Sequence, residues 1–478
     1  MKGITVVAIL LLVGGGVRAQ TAGTAKRPGG SAGAQTREVD AIVRNLMDSA
    51  GVTGLDVGIV RDNKVVYVKS YGYRNGPEGK LGDTATCMYG ASLSKAVFAY
   101  LVMQLVGEGV IDLDKPLYTY LPRPLPEYPN YKDLEGDDRW RLITARHCLS
   151  HTTGFPNFRW FNPHDNKKLE MFFTPGSQYA YSGEGLLLLQ LVVETVTGRS
   201  LDELARQRIF GPFGMRRTDY VWRAEFDDDY AVGHTADGDT LPKKRRSKPN
   251  AAGSMETTVA DYTRFLAAVM RHQGITAKAW DEMVSPQIAI YQKHQFPSLN
   301  KDSTLANRGM ELAYGLGWGL FKDVYAGKVF FKEGHDDGWQ NYSVCIPGRR
   351  EAYVFLSNSD NAEGVYAQLV RRLAGVDIPW EWEGYQPYHS WVVLPEAALR
   401  QWVGEYKGPE TVKVFVENGR LRAGSEHMPA MTLYPSDERH FFIRRTGGRV
   451  EFVRPAGGGP VKALVEDGGD KYEMVKVD

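Results

Sequence analysis

Val39, Ile42, Val43, Leu46 and Met47 recur at helical spacing and Gly51 follows them, which predicts an amphipathic helix at the start of the folded chain. Two runs with strand character come next, Leu55 to Val60 and Val65 to Ser70. The polar tetrad Arg61-Asp62-Asn63-Lys64 joins them, so the pattern predicts an antiparallel hairpin. From Ala96 to Val106 the residues are almost all apolar, which predicts a helix buried on every side. A middle region rich in helical patterns leads to two further strands, Tyr342 to Ile346 and Ala352 to Leu356. A helix near Gly364 to Leu373 closes this part of the chain. Asp377 to Pro395, rich in Trp, Tyr and Pro, has no period and reads as a linker. Beyond it Val412, Val414 and Val416 alternate up to an Asn418-Gly419 turn, and Phe441 to Ile443 and Val450 to Phe452 flank Gly447-Gly448. This tail is expected to be a small all-β domain.

At 478 residues the chain exceeds the usual size of one domain. Its 43% hydrophobic and 24% charged content is that of an ordinary globular protein, and a net charge of +1 argues against nucleic acid or an anionic membrane as the main partner. The run Lys243-Lys244-Arg245-Arg246 is read as a solvated loop. Residues 1–19 have the form of a secretory signal, with Lys2, an apolar core from Ile4 to Val13, and Val17-Arg18-Ala19 at the cleavage site. The core is too short for a stable membrane span. Residues 20–36 read as a disordered leader. It holds a formal Gly-x-Ser-x-Gly match at Gly29 to Gly33 that lacks the buried strand such an elbow needs. The expected organisation is therefore a signal at 1–19, a leader at 20–36, a catalytic domain at 37–376, a linker at 377–396 and a β domain at 397–478. Cleavage after Ala19 implies a periplasmic or secreted protein. Cys87, Cys148 and Cys345, odd in number and without a Cys-x-x-Cys pair, read as small buried hydrophobes.

Chemistry enters at Ser92-Leu93-Ser94-Lys95. A serine hydroxyl is a weak nucleophile until a base stands within hydrogen-bond reach, and positions i and i+3 share a helix face. A lysine buried among apolar groups and near other cations can be neutral at ordinary pH and serve as that base. His147 and His151 stand at i, i+4, but no glutamate follows His147, so no metal site is indicated.

Tyr89 to Lys95, Val110 to Leu117 and the passage Ile143 to Gly154 together resemble the penicillin-recognising serine hydrolases, the superfamily of β-lactamases, penicillin-binding peptidases and related esterases. The likeness runs in order from Val39 to Leu373 and is nearest to the class C branch. It implies an α+β fold: a β-lactamase-like antiparallel sheet flanked by helices, with an all-α subdomain and the site in the cleft between them. It further implies that Tyr181, in Tyr181-Ser182-Gly183, is a second catalytic group, its phenolate favoured by neighbouring lysines. Gly183 stands where the family's second motif has an asparagine amide, leaving Glu184 or water to replace it, which weakens the case for strong penicillin turnover and leans toward a plain ester or a different amide. The third motif is matched by Lys332-Glu333-Gly334, with His335 as an alternative head. Lys332 is preferred because Gly334 lets backbone approach the strand. Backbone N–H groups of Ser92 and His335 would form the oxyanion hole. The resemblance implies no cofactor and no metal, a small-molecule or peptide substrate, and acyl-enzyme chemistry on an ester or amide, whether a β-lactam, a D-amino-acid peptide or a small carboxylic ester. The alternative is a penicillin-binding sensor or catalytically silent module in which deacylation is slow.

Overall fold

The computed structural model describes residues 32–385, 391–428, 430–444, 446–455, 457–467 and 470–477. The signal at 1–19 and the leader as far as residue 31 lie outside them. Helix α1 (Ala32–Ala50) takes in residues 32–36, which composition alone assigns to the leader. Strands β1 (Gly54–Arg61) and β2 (Lys64–Asn75) form the expected hairpin, and Asp62 and Asn63 adopt positive φ in the turn. Such left-handed pairs match the twist of a two-residue hairpin, which short polar side chains tolerate.

A nine-stranded sheet, antiparallel at each pairing, dominates the first part of the chain. Its centre is β1 and the later strands β3 (Gly319–Asp323), β4 (Gly327–Asp336), β5 (Trp339–Ile346) and β6 (Glu351–Ser357). They run in the order β2-β1-β6-β5-β4-β3, so the first hairpin is sealed by strands about 300 residues away in sequence. Alternation along β1 places Val57 and Ile59 in one core and Val60 in another. The first core lies under α1 and the helix Glu363–Ala374. The second holds α2 (Leu93–Gly107) and α3 (Val259–Met270), together with the helical insertion that follows α2. In α2 every side chain from Leu93 to Leu105 is buried, as the unbroken apolar run predicts.

The C-terminal strands, from Gly404–Lys407 to Asp470–Val477, close into an eight-stranded antiparallel barrel. The expected Asn418-Gly419 turn is present, with both residues at positive φ. Trp402 stacks on Phe452 inside the barrel, 5.0 Å between ring centres. The barrel docks on the first domain through Tyr434, whose hydroxyl donates to Asp237 at 2.6 Å, and Arg420, which donates to the Asp237 carbonyl at 3.3 Å. Among the described residues no helix is long and apolar enough to cross a membrane.

Candidate active site

Ser92 caps the N-terminus of α2, yet its hydroxyl makes no capping hydrogen bond and is left to other partners. The residue before it, Ala91, is held at φ +45°, a strained value for alanine that turns the chain sharply into the helix. One turn on, Lys95 is 1% exposed. Its Nζ lies 2.9 Å from Ser92 Oγ and donates to the Ala252 carbonyl at 2.5 Å. Burial, and then the neighbouring charge of Lys332, push Lys95 well below the usual lysine range. Burial therefore favours the neutral amine, the form that can accept the serine proton.

Tyr181 stands over this pair, with Lys95 Nζ 4.9 Å from its ring centre. Lys332, fully buried on β4, donates to the Tyr181 hydroxyl at 3.0 Å and pairs with Glu333 at 2.7 Å. Burial alone would raise the Glu333 carboxyl, but the charges of Lys332 and His335 hold it down to about 2. Burial pulls Lys332 below the usual range against the opposing pull of Glu333. The expected phenolate is corrected here: burial and the Glu333 charge push the Tyr181 phenol well above its usual range, so tyrosine keeps its proton. His151 backs the Tyr181 ring at 4.3 Å between centres, and its Nδ1 accepts the Ser182 N–H at 3.1 Å.

Gly334 lies against the start of α2. A Cβ there would stand 2.7 Å from the Gly90 carbonyl and 3.0 Å from Ser92 N. Asn341 on β5 locks the contact, donating to the carbonyls of Tyr89 and Gly334 at 3.1 and 3.0 Å. His335 follows in the strand, its ring 6.4 Å from Phe296, which in turn packs 5.4 Å from Tyr181. The structure thus brings together Ser92, Lys95, Tyr181, Lys332, Gly334 and His335. Gly183 sits beside them but offers no free donor, since its N–H is bonded to Asn157. A Cβ at Gly183 would meet the Phe158 ring at 2.6 Å, so an aromatic fills the space next to it. Glu184 does not stand in for the missing amide either, because Arg159 grips both its oxygens at 3.0 and 2.9 Å.

Sequence reasoning passed over Glu333, Asn341, His151 as the support of Tyr181, and Phe158. The basic run is a loop, as expected, with Lys244 and Arg245 exposed, but its two ends turn inward. The Lys243 side chain is buried, pairs with Glu256 at 2.7 Å and lies over the Trp339 ring, while Arg246 stacks 3.6 Å from the centre of Tyr89. Lys243 and Arg246 are therefore packed beside the strand that leads to the nucleophile. The buried Glu256 carboxylate and the buried rings of Tyr89 and Trp339 hold them there, and a local charge count cannot register such partners. Cys87, Cys148 and Cys345 are buried free thiols, and His147 closes a capping box with Thr144.

A model of the Beta-lactamase family matches residues 39–376. Penicillin-binding protein 4* of Bacillus subtilis (strain 168) is 25% identical over 439 residues, covering 85% of this chain and 91% of that protein. Among solved structures, the octameric penicillin-binding protein homologue from Pyrococcus abyssi superposes with a TM-score of 0.59 at 19% identity, over 92% of this chain and all of that one. D-alanine carboxypeptidase AmpC from Burkholderia cenocepacia gives 0.57 at 20% identity, over 72% of this chain and 99% of that one. At these identities the two superpositions speak for the fold.

Proposed function

Because the chain belongs to the Beta-lactamase family, we propose that it is a secreted or periplasmic serine hydrolase that cleaves an ester or amide through an acyl-enzyme. The observation that carries this reading is Lys95 Nζ at 2.9 Å from Ser92 Oγ, in surroundings that keep the lysine neutral. Ser92 Oγ attacks the carbonyl carbon as its proton passes to Lys95. The oxyanion forms between the N–H groups of Ser92 and His335, where the α2 N-terminus also favours negative charge. Tyr181, protonated and held by Lys332, gives a proton to the leaving group and is reprotonated from Lys95. Water then attacks the acyl-Ser92 ester by the reverse route, releasing the acid and restoring the serine. Phe158 beside Gly183 favours an acyl group without a side amide, so simple esters and D-amino-acyl amides suit the site better than penicillins.

The test is the intact mass of the protein after incubation with benzylpenicillin and, separately, with a serine-directed phosphonate, with Ser92→Ala as control. The phosphonate adduct is expected on the wild type and not on the variant, and its absence from both would sink the reading. A lasting penicilloyl adduct would instead favour a penicillin-binding sensor. The same spectrum shows whether the mature chain begins at Gln20. Tyr181→Phe is expected to lower turnover by about 10²-fold, the low end for a positioned proton donor, since Lys95 still activates Ser92. Its melting temperature should stay near that of the wild type, and unchanged turnover would remove Tyr181 from the mechanism.

A further inference from the structure

Lys332 is a buried cation whose donors are all spent. An ammonium group has three N–H bonds. Lys332 Nζ aims them at the Tyr181 hydroxyl at 3.0 Å, the Glu333 carbonyl at 3.0 Å and Glu333 Oε1 at 2.7 Å. The two side chains are 0% and 1% exposed, so nothing can reach Lys332 without displacing one of these partners. Glu333 is itself fixed. Its Oε1 also accepts from Gln295 Nε2 at 3.0 Å, and the Gln295 N–H donates to the Trp382 carbonyl at 2.7 Å. Held down at about 2, the Glu333 carboxyl carries its charge and cancels that of Lys332 at close range.

The leaving group comes to this corner of the site. An atom that takes its proton from the Tyr181 hydroxyl stands one hydrogen bond beyond the Lys332–Tyr181 contact, and Lys332 has no donor left for anything that atom carries. Neighbouring groups do not make up the missing charge. Burial favours the neutral forms of Lys95 and His335. Farther along β4, Lys244 and Arg246 face Asp336 at 3.5 and 3.7 Å. In the cleft that opens past His335 and Phe296, carboxyl groups outnumber the two arginines, Arg444 and Arg449. What the corner does offer is the Phe296 ring, 37% exposed and packed 5.4 Å from Tyr181.

We propose that Glu333 sets the leaving-group specificity: by occupying Lys332 and cancelling its charge it makes that lysine a support for Tyr181 alone, so the site releases uncharged alcohols or amines and discriminates against leaving groups that carry a carboxylate. This role rests on the serine-hydrolase reading and names the leaving-group class that the reading leaves open. Glu333 touches no reacting atom and acts through Lys332, as a positioning residue. Release of a C-terminal amino acid, which departs with its carboxylate, is then disfavoured, whereas an ester of a neutral alcohol is accepted with its apolar body against Phe296.

The experiment uses two phosphonates on the full-length protein, both with an ethyl hexylphosphonyl group, one losing 3-hydroxybenzamide and the other 3-hydroxybenzoate. In each, Ser92 Oγ bonds to phosphorus while the phenol departs with a proton. Intact mass follows the labelling, and each rate is divided by that of the same compound with hydroxide to remove intrinsic reactivity. The wild type should favour the benzamide by about ten-fold or more, the scale of one hydrogen bond to a charged group. Glu333→Gln should lose most of this preference, because the benzoate then supplies the counter-charge that Lys332 lacks. Glu333→Asp, which keeps the charge, should retain it. A uniform loss of activity leaves the ratio unmoved, so the ratio separates specificity from damage, and Glu333→Thr is the second uncharged variant should Glu333→Gln fail to fold. Equal labelling in the wild type, faster labelling by the benzoate, or a preference that survives in the uncharged variants would overturn the role of Glu333 and leave the hydrolase reading standing. If neither phosphonate labels Ser92, the hydrolase reading falls and this role falls with it.

Discussion

Lys95→Met is expected to lower turnover by roughly 10⁵- to 10⁶-fold, the scale on which a hydrolase loses its nucleophile or base, and to raise the melting temperature as well. The two effects share one cause. Lys95 is 1% exposed and held neutral by burial and by Lys332. Holding a lysine below its unfolded value of about 10.4 costs about 1.4 kcal/mol for each pH unit of the depression. Methionine has similar length and removes that cost. It also takes a donor from the Ala252 carbonyl and from Ser92 Oγ, a loss of about 1–3 kcal/mol. A lysine held well below its unfolded value is expected to lose more than this, so the variant gains. Because the folded-state value lies below the unfolded one, the unfolded chain binds the extra proton and wild-type stability rises with pH toward the unfolded value. Turnover has the same sign, falling as acid protonates Lys95. Denaturant melts across pH check this directly: the alkaline gain in stability should be present in the wild type and reduced in Lys95→Met. A destabilised variant, or one with the wild-type pH slope, would mean that the lysine is charged at rest and cannot be the base.

Local features of the fold were open to inspection in the sequence because their causes are local. Asp62-Asn63 and Asn418-Gly419 adopt positive φ for reasons held within the residues themselves, and α2 is buried because no polar face interrupts it. Ser92 and Lys95 meet across a single turn, so spacing alone pairs them. The rest depends on contacts between distant segments. Lys332 reaches Tyr181 across 151 residues, and Asn341 reaches the Tyr89 carbonyl across 252. Only an ordered resemblance could place the first, and nothing in the residues themselves pointed to the second. The protonated state of Tyr181 was missed for a related reason. Two lysines flank it, as expected, but burial and the adjacent Glu333 carboxylate outweigh their charge. Closure of the barrel likewise hangs on Glu405 pairing with Val477, which alternation within single strands does not foretell.

Gly334→Ala is expected to lower kcat by about 10²- to 10³-fold with little change in KM, the loss seen when one oxyanion donor is removed. The added methyl would stand 2.7 Å from Gly90 O, 2.9 Å from Leu93 N and 3.0 Å from Ser92 N. All three are backbone atoms of the turn that presents the nucleophile, and none can rotate away. Either β4 retreats from α2, carrying the His335 N–H with it, or the Ser92 N–H is displaced. Asn341 ties the Gly334 carbonyl to that of Tyr89, so a retreat also strains these bonds, and overpacking of this kind costs about 1–3 kcal/mol of stability. Gly183→Ala provides the contrast. Its methyl meets first the ring of Phe158, at 2.6 Å, a partly buried side chain, and then the Asn157 carbonyl at 3.0 Å, so no atom of the turn that presents Ser92 is pressed. That variant should therefore change which acyl groups are accepted more than the rate with the best of them. Stopped-flow acylation by a chromogenic ester separates the two, because the Gly334 variant should lose the burst rate and the Gly183 variant should keep it. A Gly334→Ala enzyme that acylates at the wild-type rate would remove β4 from the oxyanion hole and return the third motif to the register headed by His335.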